Sequence, residues 1–252
     1  LAMLVQRITL YDRLEIELVP GEDVTVECPG LELAVGEQNI VEKSARLFLQ
    51  HIGSRRGVKI SVIKNIPAAG GMGRGSSDAA AVLEALDDML GTGLPRAELR
   101  AFGRRLGADV PFFLYKQTAW ATGIGDRLEA WPGLPPVWLV LVNPRLAVST
   151  AWVFRNLGLT HHRPIAKLPR FPQGISALVR LLHNDLEAVT CQHHPVVATI
   201  KNRLLASGAE GALMSGSGPT VFGLFAERGR AERAAAAISR DTEWWVEVVS
   251  PL

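Results

Sequence analysis

Apolar positions alternate along the first part of the chain and then shift to a helical period. Over residues 10–18, Leu14, Ile16 and Leu18 fall on one face, which predicts a half-buried strand. Pro20-Gly21 turns the chain into a second short strand over 24–28, ended by Pro29-Gly30. Asn39 opens a predicted helix with Ile40, Ala45, Leu47, Phe48 and Ile52 as inner positions and Gly53 as its stop. A strand over 58–63 carries Lys64 at its end and is closed off by Pro67. After a glycine-rich stretch, a helix opens at Ser76 or Ser77, either of which is able to cap its free N–H groups. Asp78 is expected in its first turn, where negative charge suits the helix dipole. Ala79, Ala80, Val82, Leu83, Leu86 and Leu90 form its apolar face, and Gly91 and Gly93 end it.

Pro95 starts the next helix, with Leu99, Phe102 and Leu106 inward and Gly107 at its end. Asp109 follows that helix and is expected to precede a strand. Residues 117–122 read as a strand, 123–128 as a turn, and 137–142 as a buried strand broken by Asn143-Pro144. A domain boundary is placed there, giving domains of 1–143 and 144–252. The second part opens with a short helix through Phe154 and Leu157, then a loop over 160–173. Helices are expected over 174–182, 186–191 and 196–206, strands over 212–214 and 220–225, a helix over 229–240 and a last strand over 244–249. That order predicts an α+β sandwich.

Composition narrows the class. Hydrophobic residues make up 48% of the chain, enough for a buried core. No apolar run approaches the roughly twenty residues of a membrane helix. The start lacks the basic region, long apolar run and small-residue cleavage site of a signal peptide. Cys28 and Cys191 are too few for a disulfide framework, so a reducing cytoplasm is expected. The net charge of +2 is dispersed, which argues against nucleic-acid binding.

The glycine-rich stretch carries the chemistry. Gly70, Gly71, Gly73 and Gly75 lie between a strand and a helix start, where backbone N–H groups approach an anion closely and the helix adds its own unpaired donors. Ser76 and Ser77 add hydroxyls for phosphate oxygens or a magnesium ion. The Walker pattern fails because Ser76 stands where its lysine belongs, and the dinucleotide fingerprint lacks its third glycine. The histidine pairs 161–162 and 193–194 lack partners at metal-ligand spacing.

The wording IPAAGGMGRGSSDAA resembles the second motif of the GHMP kinases, the small-molecule kinases related to galactokinase, homoserine kinase and mevalonate kinase. It is most similar to the branch that phosphorylates 4-diphosphocytidyl-2-C-methyl-D-erythritol. Met72 and Arg74 stand where that branch has leucine and glycine; Arg74 either points outward or reaches a phosphate. LGADVPFFL (106–114) resembles the stretch whose aspartate is the proposed base, which implies that Asp109 is catalytic. LMSGSGPT (213–220) resembles the third motif, with Pro219 in place of alanine, and NDLE (184–187) also matches the family. The role implied for NDLE is structural, with Asn184 or Asp185 capping the helix that follows.

The resemblance implies a GHMP kinase fold: an amino-terminal half like domain 2 of ribosomal protein S5 and a ferredoxin-like carboxy-terminal half. It implies ATP with Mg2+, the ATP held by Asn39, Lys64, Pro67, Ala68, Ala69, Gly70, Gly71, Met72, Gly73, Arg74, Gly75, Ser76 and Ser77, with Ser77 at the metal. It also implies a cytidine diphosphate-linked methylerythritol substrate held by Thr150, Phe154, Gly216, Ser217 and Gly218. Asn39 and Lys64 would line the adenine pocket and Phe154 the cytosine ring. A monomer or homodimer is expected, without nucleic acid or membrane. Two family motifs, one like P-A-K-I-N-L and a D-G-Y-H, do not occur in the 252 residues. With Leu1 in place of methionine, the expectation is a chain that was processed or begins inside a longer gene product. Taken alone, it would lack a strand, one catalytic partner and half of the base pocket. The rival readings are an inert nucleotide-binding homologue, a GHMP kinase for another small alcohol, and an RNA-binding module.

Overall fold

The strand β1 (Ala2–Val5) has no alternation to announce it; pairing creates it, with Val5 opposite Ala119 and Ala2 opposite Thr122. The computed structural model describes residues 1–30, 39–158 and 173–252. The expected loop over 160–173, with histidines 161–162, lies outside these residues apart from Gln173. Contacts divide the chain into two units that interleave along the sequence. The first holds Leu1–Val5, Tyr11–Asn65 and Gly73–Ala130; the second holds Gln6–Leu10, Ile66–Met72 and Trp131–Leu252. The chain therefore changes unit several times, not once near Asn143.

In the first unit, β2 (Arg13–Val19) and β3 (Val24–Glu27) flank β4 (Gly57–Ile63), antiparallel and parallel to it respectively. The register sets Leu14 opposite Val62, Ile16 opposite Ile60 and Leu18 opposite Val58, so the alternation becomes one apolar face. Helices α1 (Ile40–Ile52) and α2 (Arg74–Leu90) cover it. Phe48, Val58, Ile60, Val62, Leu83 and Leu86 are fully buried there, each burial stabilising by about 1.5–3 kcal/mol. Asn39 caps α1 as expected, accepting from the Val41 N–H at 3.0 Å, and Gly53 ends it with φ 64°.

The helix α3 (Arg96–Leu106) adds Leu99 and Phe102 to the same core. Two expectations fail next. Residues after Asp109 form a short helix, α4 (Val110–Tyr115), not a strand. A short apolar run fits either, and Pro111 in the first turn tips it toward helix. What reads as a turn over 123–128 is the tip of a hairpin. Its strands are β5 (Ala119–Thr122) and β6 (Arg127–Ala130), the latter too polar to be seen from sequence.

The second unit is built on a four-stranded antiparallel sheet: β7 (Trp138–Asn143), β8 (Gly211–Met214), β9 (Val221–Phe225) and β10 (Trp245–Val249), in the order β10-β7-β9-β8. Ahead of β8 come the helices α5 (Thr150–Asn156), α6 (Ile175–Val179), α7 (Asp185–His193) and α8 (Val196–Ala206), and α9 (Arg228–Asp241) precedes β10. The run β7-α8-β8-β9-α9-β10 is the ferredoxin-like arrangement. Val140 and Val142 pack with α8 and α9, while Leu139 and Leu141 pack with Leu178 and Val249 on the other side. Burial on both faces explains why β7 reads as an uninterrupted apolar run.

Candidate active site

Within the first unit, the glycine-rich stretch enters α2 through Gly73, whose φ of 66° is left-handed. A Cβ there would also press on the Phe113 ring at 2.9 Å. The helix starts two residues earlier than the serines suggest, at Arg74. Ser76 and Ser77 are therefore inside the first turns and do not cap it; Ser77 Oγ donates to the Arg74 carbonyl at 2.7 Å. The first helical bond runs from Ser77 N–H to Gly73 O, so the N–H groups of Arg74, Gly75 and Ser76 precede it. No side chain caps this end. An uncapped helix start reached through a glycine that only glycine suits fits a phosphate. Added Cβ atoms place two further glycines: one on Gly75 would meet Ile40 at 3.3 Å, and one on Gly107 would meet Ser76 Oγ at 3.9 Å.

Asp109 precedes α4 and makes no cap bond to it. The residue is open to solvent. Enough protein nevertheless surrounds its carboxyl that burial lifts its pKa above the ordinary aspartate value. Its Oδ1 lies against the hairpin tip, 3.8 Å from where a Gly125 Cβ would stand. The first unit thus brings the Ser76 turn of α2, the Gly107–Asp109 connection and Gly125 into one neighbourhood.

Asp78 is not a first-turn dipole partner. It is buried, at 2% side-chain exposure, in an ion pair with the Lys64 ammonium. Lys64 also lies 3.2 Å from Asp12, and Arg74 Nε lies 3.6 Å from the same carboxylate. The Asn65 N–H donates to Asp12 Oδ1 at 2.6 Å. Desolvation is the main cause that lifts the Asp78 pKa to about 6, with Asp12 adding; Lys64 and Arg74 pull it down without prevailing. Sequence reasoning misses this cluster because its members are spread from residue 12 to residue 78. Lys64 is thereby engaged with carboxylates, and the side-chain oxygen of Asn39 is engaged in the α1 cap.

In the second unit, the earlier half of the glycine stretch is braced from beneath. Ala69 has a φ of 48°, uncommon for a residue with a side chain. A Cβ on Gly70 would meet Thr220 Oγ1 at 2.9 Å and Asn143 Nδ2 at 3.2 Å, and Asn143 Nδ2 donates to Thr220 Oγ1 at 2.8 Å. A Cβ on Gly71 would collide with the Ser215 carbonyl, and Ser215 Oγ donates to Gly71 O at 2.8 Å. The loop after β8 therefore touches the glycine stretch directly, and Asn143, Thr220 and Ser215 join the site with no sequence signal beyond their distant motifs.

That loop also reaches Thr150, another predicted residue of this unit. Ser217 Oγ and Thr150 Oγ1 share a hydrogen bond of 2.8 Å. Gly216 and Gly218 have φ of 54° and 82°. Phe154 is 39% exposed on α5 and is not a core residue. His193 packs its ring against Trp152 at 4.3 Å. Among the described residues, no group of three or more His, Cys, Asp or Glu is placed to hold a metal. Nor is any described helix long and apolar enough to cross a membrane.

Residues 39–117 match the GHMP kinases N terminal domain and residues 168–242 the GHMP kinases C terminal domain. The chain is 52% identical over all 252 residues to the 4-diphosphocytidyl-2-C-methyl-D-erythritol kinase of Syntrophotalea carbinolica, covering 90% of that protein. It is 47% identical over the same span to the enzyme of that name from Pelobacter propionicus, again covering 90%. A solved 4-(cytidine 5'-diphospho)-2C-methyl-D-erythritol kinase superposes with a TM-score of 0.80 at 33% identity, over 99% of this chain and 90% of that one. Homoserine kinase from Cytophaga hutchinsonii shares the fold at TM-score 0.72 and 19% identity, over 97% of this chain and 87% of that one.

Proposed function

This chain belongs to the GHMP kinases, in the branch of the 4-diphosphocytidyl-2-C-methyl-D-erythritol kinases, and from that premise we propose that it transfers the γ-phosphoryl group of ATP to the 2-hydroxyl of 4-diphosphocytidyl-2-C-methyl-D-erythritol, a step in non-mevalonate isoprenoid precursor biosynthesis. The observation that carries this reading is the 52% identity over the whole chain to an enzyme of that name.

ATP, carried with Mg2+, supplies the phosphoryl group. Phosphoryl transfer asks a protein chiefly for positioning and charge stabilisation. The N–H groups of Arg74, Gly75 and Ser76 are aimed out of an uncapped helix and would hold phosphate oxygens. Ser77 would offer its oxygen lone pairs to the magnesium ion, which takes most of its ligands from phosphates and water. Pro67 to Met72 would also bind the ATP. Asp109 would orient the attacking hydroxyl and accept its proton; a pKa above the ordinary aspartate value makes it a better base. Thr150, Gly216, Ser217 and Gly218 would hold the substrate, with the exposed Phe154 ring free to stack on cytosine. Asn39 and Lys64 would line the adenine side, the Asn39 oxygen being held in the α1 cap and the Lys64 ammonium by Asp78 and Asp12.

The test is phosphate transfer from Mg–ATP to that substrate by the 252-residue chain and its Asp109→Asn variant. Turnover that disappears in the variant supports the reading. ATP binding without turnover by either protein would favour an inert homologue instead.

A further inference from the structure

The NDLE stretch is the motif that the proposed reaction leaves unused. Asn184 caps α7, its Oδ1 accepting from the Leu186 N–H at 2.9 Å. A cap needs only that acceptor, yet the amide nitrogen is also fully engaged. Nδ2 donates to the Met214 carbonyl at 2.9 Å and to the Gly216 carbonyl at 2.8 Å. Glu187, three residues on, accepts from the Met214 N–H at 2.9 Å and pairs with Lys201. Thr190, one turn further, is buried and donates to the Ser217 carbonyl at 3.1 Å.

Asn184 and one face of α7 therefore hold Met214 at the end of β8 and the carbonyls of Gly216 and Ser217 in the loop that follows. The same loop bonds Gly71 of the glycine stretch through Ser215 and Thr150 through Ser217. Its two glycines have left-handed φ, and its own backbone supplies two bonds, Ser215 N–H to Thr220 O and Gly218 N–H to Ser215 O, both at 2.9 Å; the Gly216 and Ser217 carbonyls are held from outside the loop by Asn184 and Thr190. We infer that Asn184 is a positioning residue for phosphoryl transfer: its amide nitrogen holds the loop that sets Gly71 and Thr150 at fixed places, while its oxygen separately caps α7. The inference rests on the kinase reading for its effect on turnover, but not for its effect on the loop.

The two duties of the side chain separate by substitution. Asn184→Ser keeps a good cap acceptor and removes both donors. Asn184→Asp keeps the acceptor and sets a carboxylate against two carbonyl oxygens. Asn184→Ala removes everything. If the amide positions the loop, Asn184→Ser keeps the helix content of the parent chain, lowers kcat about 10- to 100-fold, and speeds amide exchange at Gly218, whose N–H bonds Ser215 O at 2.9 Å. Asn184→Asp is then at least as impaired as Asn184→Ala. A mere cap predicts the opposite order, with Asn184→Ser and Asn184→Asp near the parent and only Asn184→Ala affected. Amide exchange is read on the unliganded chain, so it decides the loop role even if the parent shows no turnover and the kinase reading fails. Unchanged exchange at Gly218 in Asn184→Ser overturns the inference; faster exchange with parental kcat and KM overturns its catalytic part.

Discussion

Asp78 has a pKa near 6, against 3.8 for an ordinary aspartate, because it is buried with Lys64 beside a second carboxylate. The sign of its effect follows. Between those two values the folded chain holds a proton that the unfolded chain has released. Its contribution to stability therefore falls as pH rises from about 4 to 6 and is flat above. At roughly 1.4 kcal/mol per pH unit the whole drop is on the order of 3 kcal/mol at most. Urea midpoints measured across that range should decline for the parent relative to Asp78→Asn; parallel profiles for the two proteins would refute this. Asp109 is shifted in the same direction by burial. The acid limb of its kcat profile should then lie above the ordinary aspartate range, and Asp109→Asn should lower kcat at least about 10²-fold. Asp109 is singled out as the proposed base by its wording alone. The Asp12–Lys64–Asp78 cluster was not legible in the sequence, because no local pattern marks three charged residues that meet only after β2, β4 and α2 assemble.

Among the elements, α2 shows where local signals compete. Ser76 and Ser77 are good cap residues, yet the helix starts at Arg74 because Gly73 supplies a left-handed turn that needs no side chain. Gly73→Ala should cost about 1–3 kcal/mol from the φ of 66° and the Phe113 contact, and should raise the KM for ATP. Asn39→Ala should cost about 1 kcal/mol, the loss of an ordinary cap, with Asn39→Ser restoring most of it. Urea unfolding and ATP titration of the three variants check both; an unaltered KM in Gly73→Ala would remove that turn from the phosphate site. Most elements were readable because their signals are local: Asn39 and Gly53 bound α1, Ser149 caps α5, and the alanines of α9 keep one buried face. α4 and β6 were misread for the same reason, since six apolar or four mixed residues fit more than one structure until neighbours choose.

At the scale of the whole molecule, the chain order and the units disagree. The central strand β7 lies before residue 144, but its partners β9 and β10 and its covering helices lie after it. A fragment of residues 1–143 would expose Val140 and Val142, which are fully buried in the intact chain. It should form inclusion bodies or bind a hydrophobic dye, and β7 should lack amide protection. A soluble fragment with β7 protected would count against this division. The segments Gln6–Leu10 and Ile66–Met72 make the same point, each being a short insertion of one unit into the sequence of the other.

The sequence by itself determined most of the element order and the α+β fold, and it singled out residues 67–77 as the proposed phosphate loop. It also determined, through the wording of three motifs, the family. These are properties of contiguous residues: periodicity, capping, and glycines between a strand and a helix. Only the tertiary structure decided what each side chain is engaged with. It committed Lys64 to Asp78 and Asp12, gave Asn184 a loop to hold besides a helix to cap, and set Asn143 and Thr220 beneath Gly70. The physical reason is range. A hydrogen bond or ion pair needs its partners within about 3–4 Å, and residues 77 or 144 positions apart reach that distance only when the sheets and helices between them have packed.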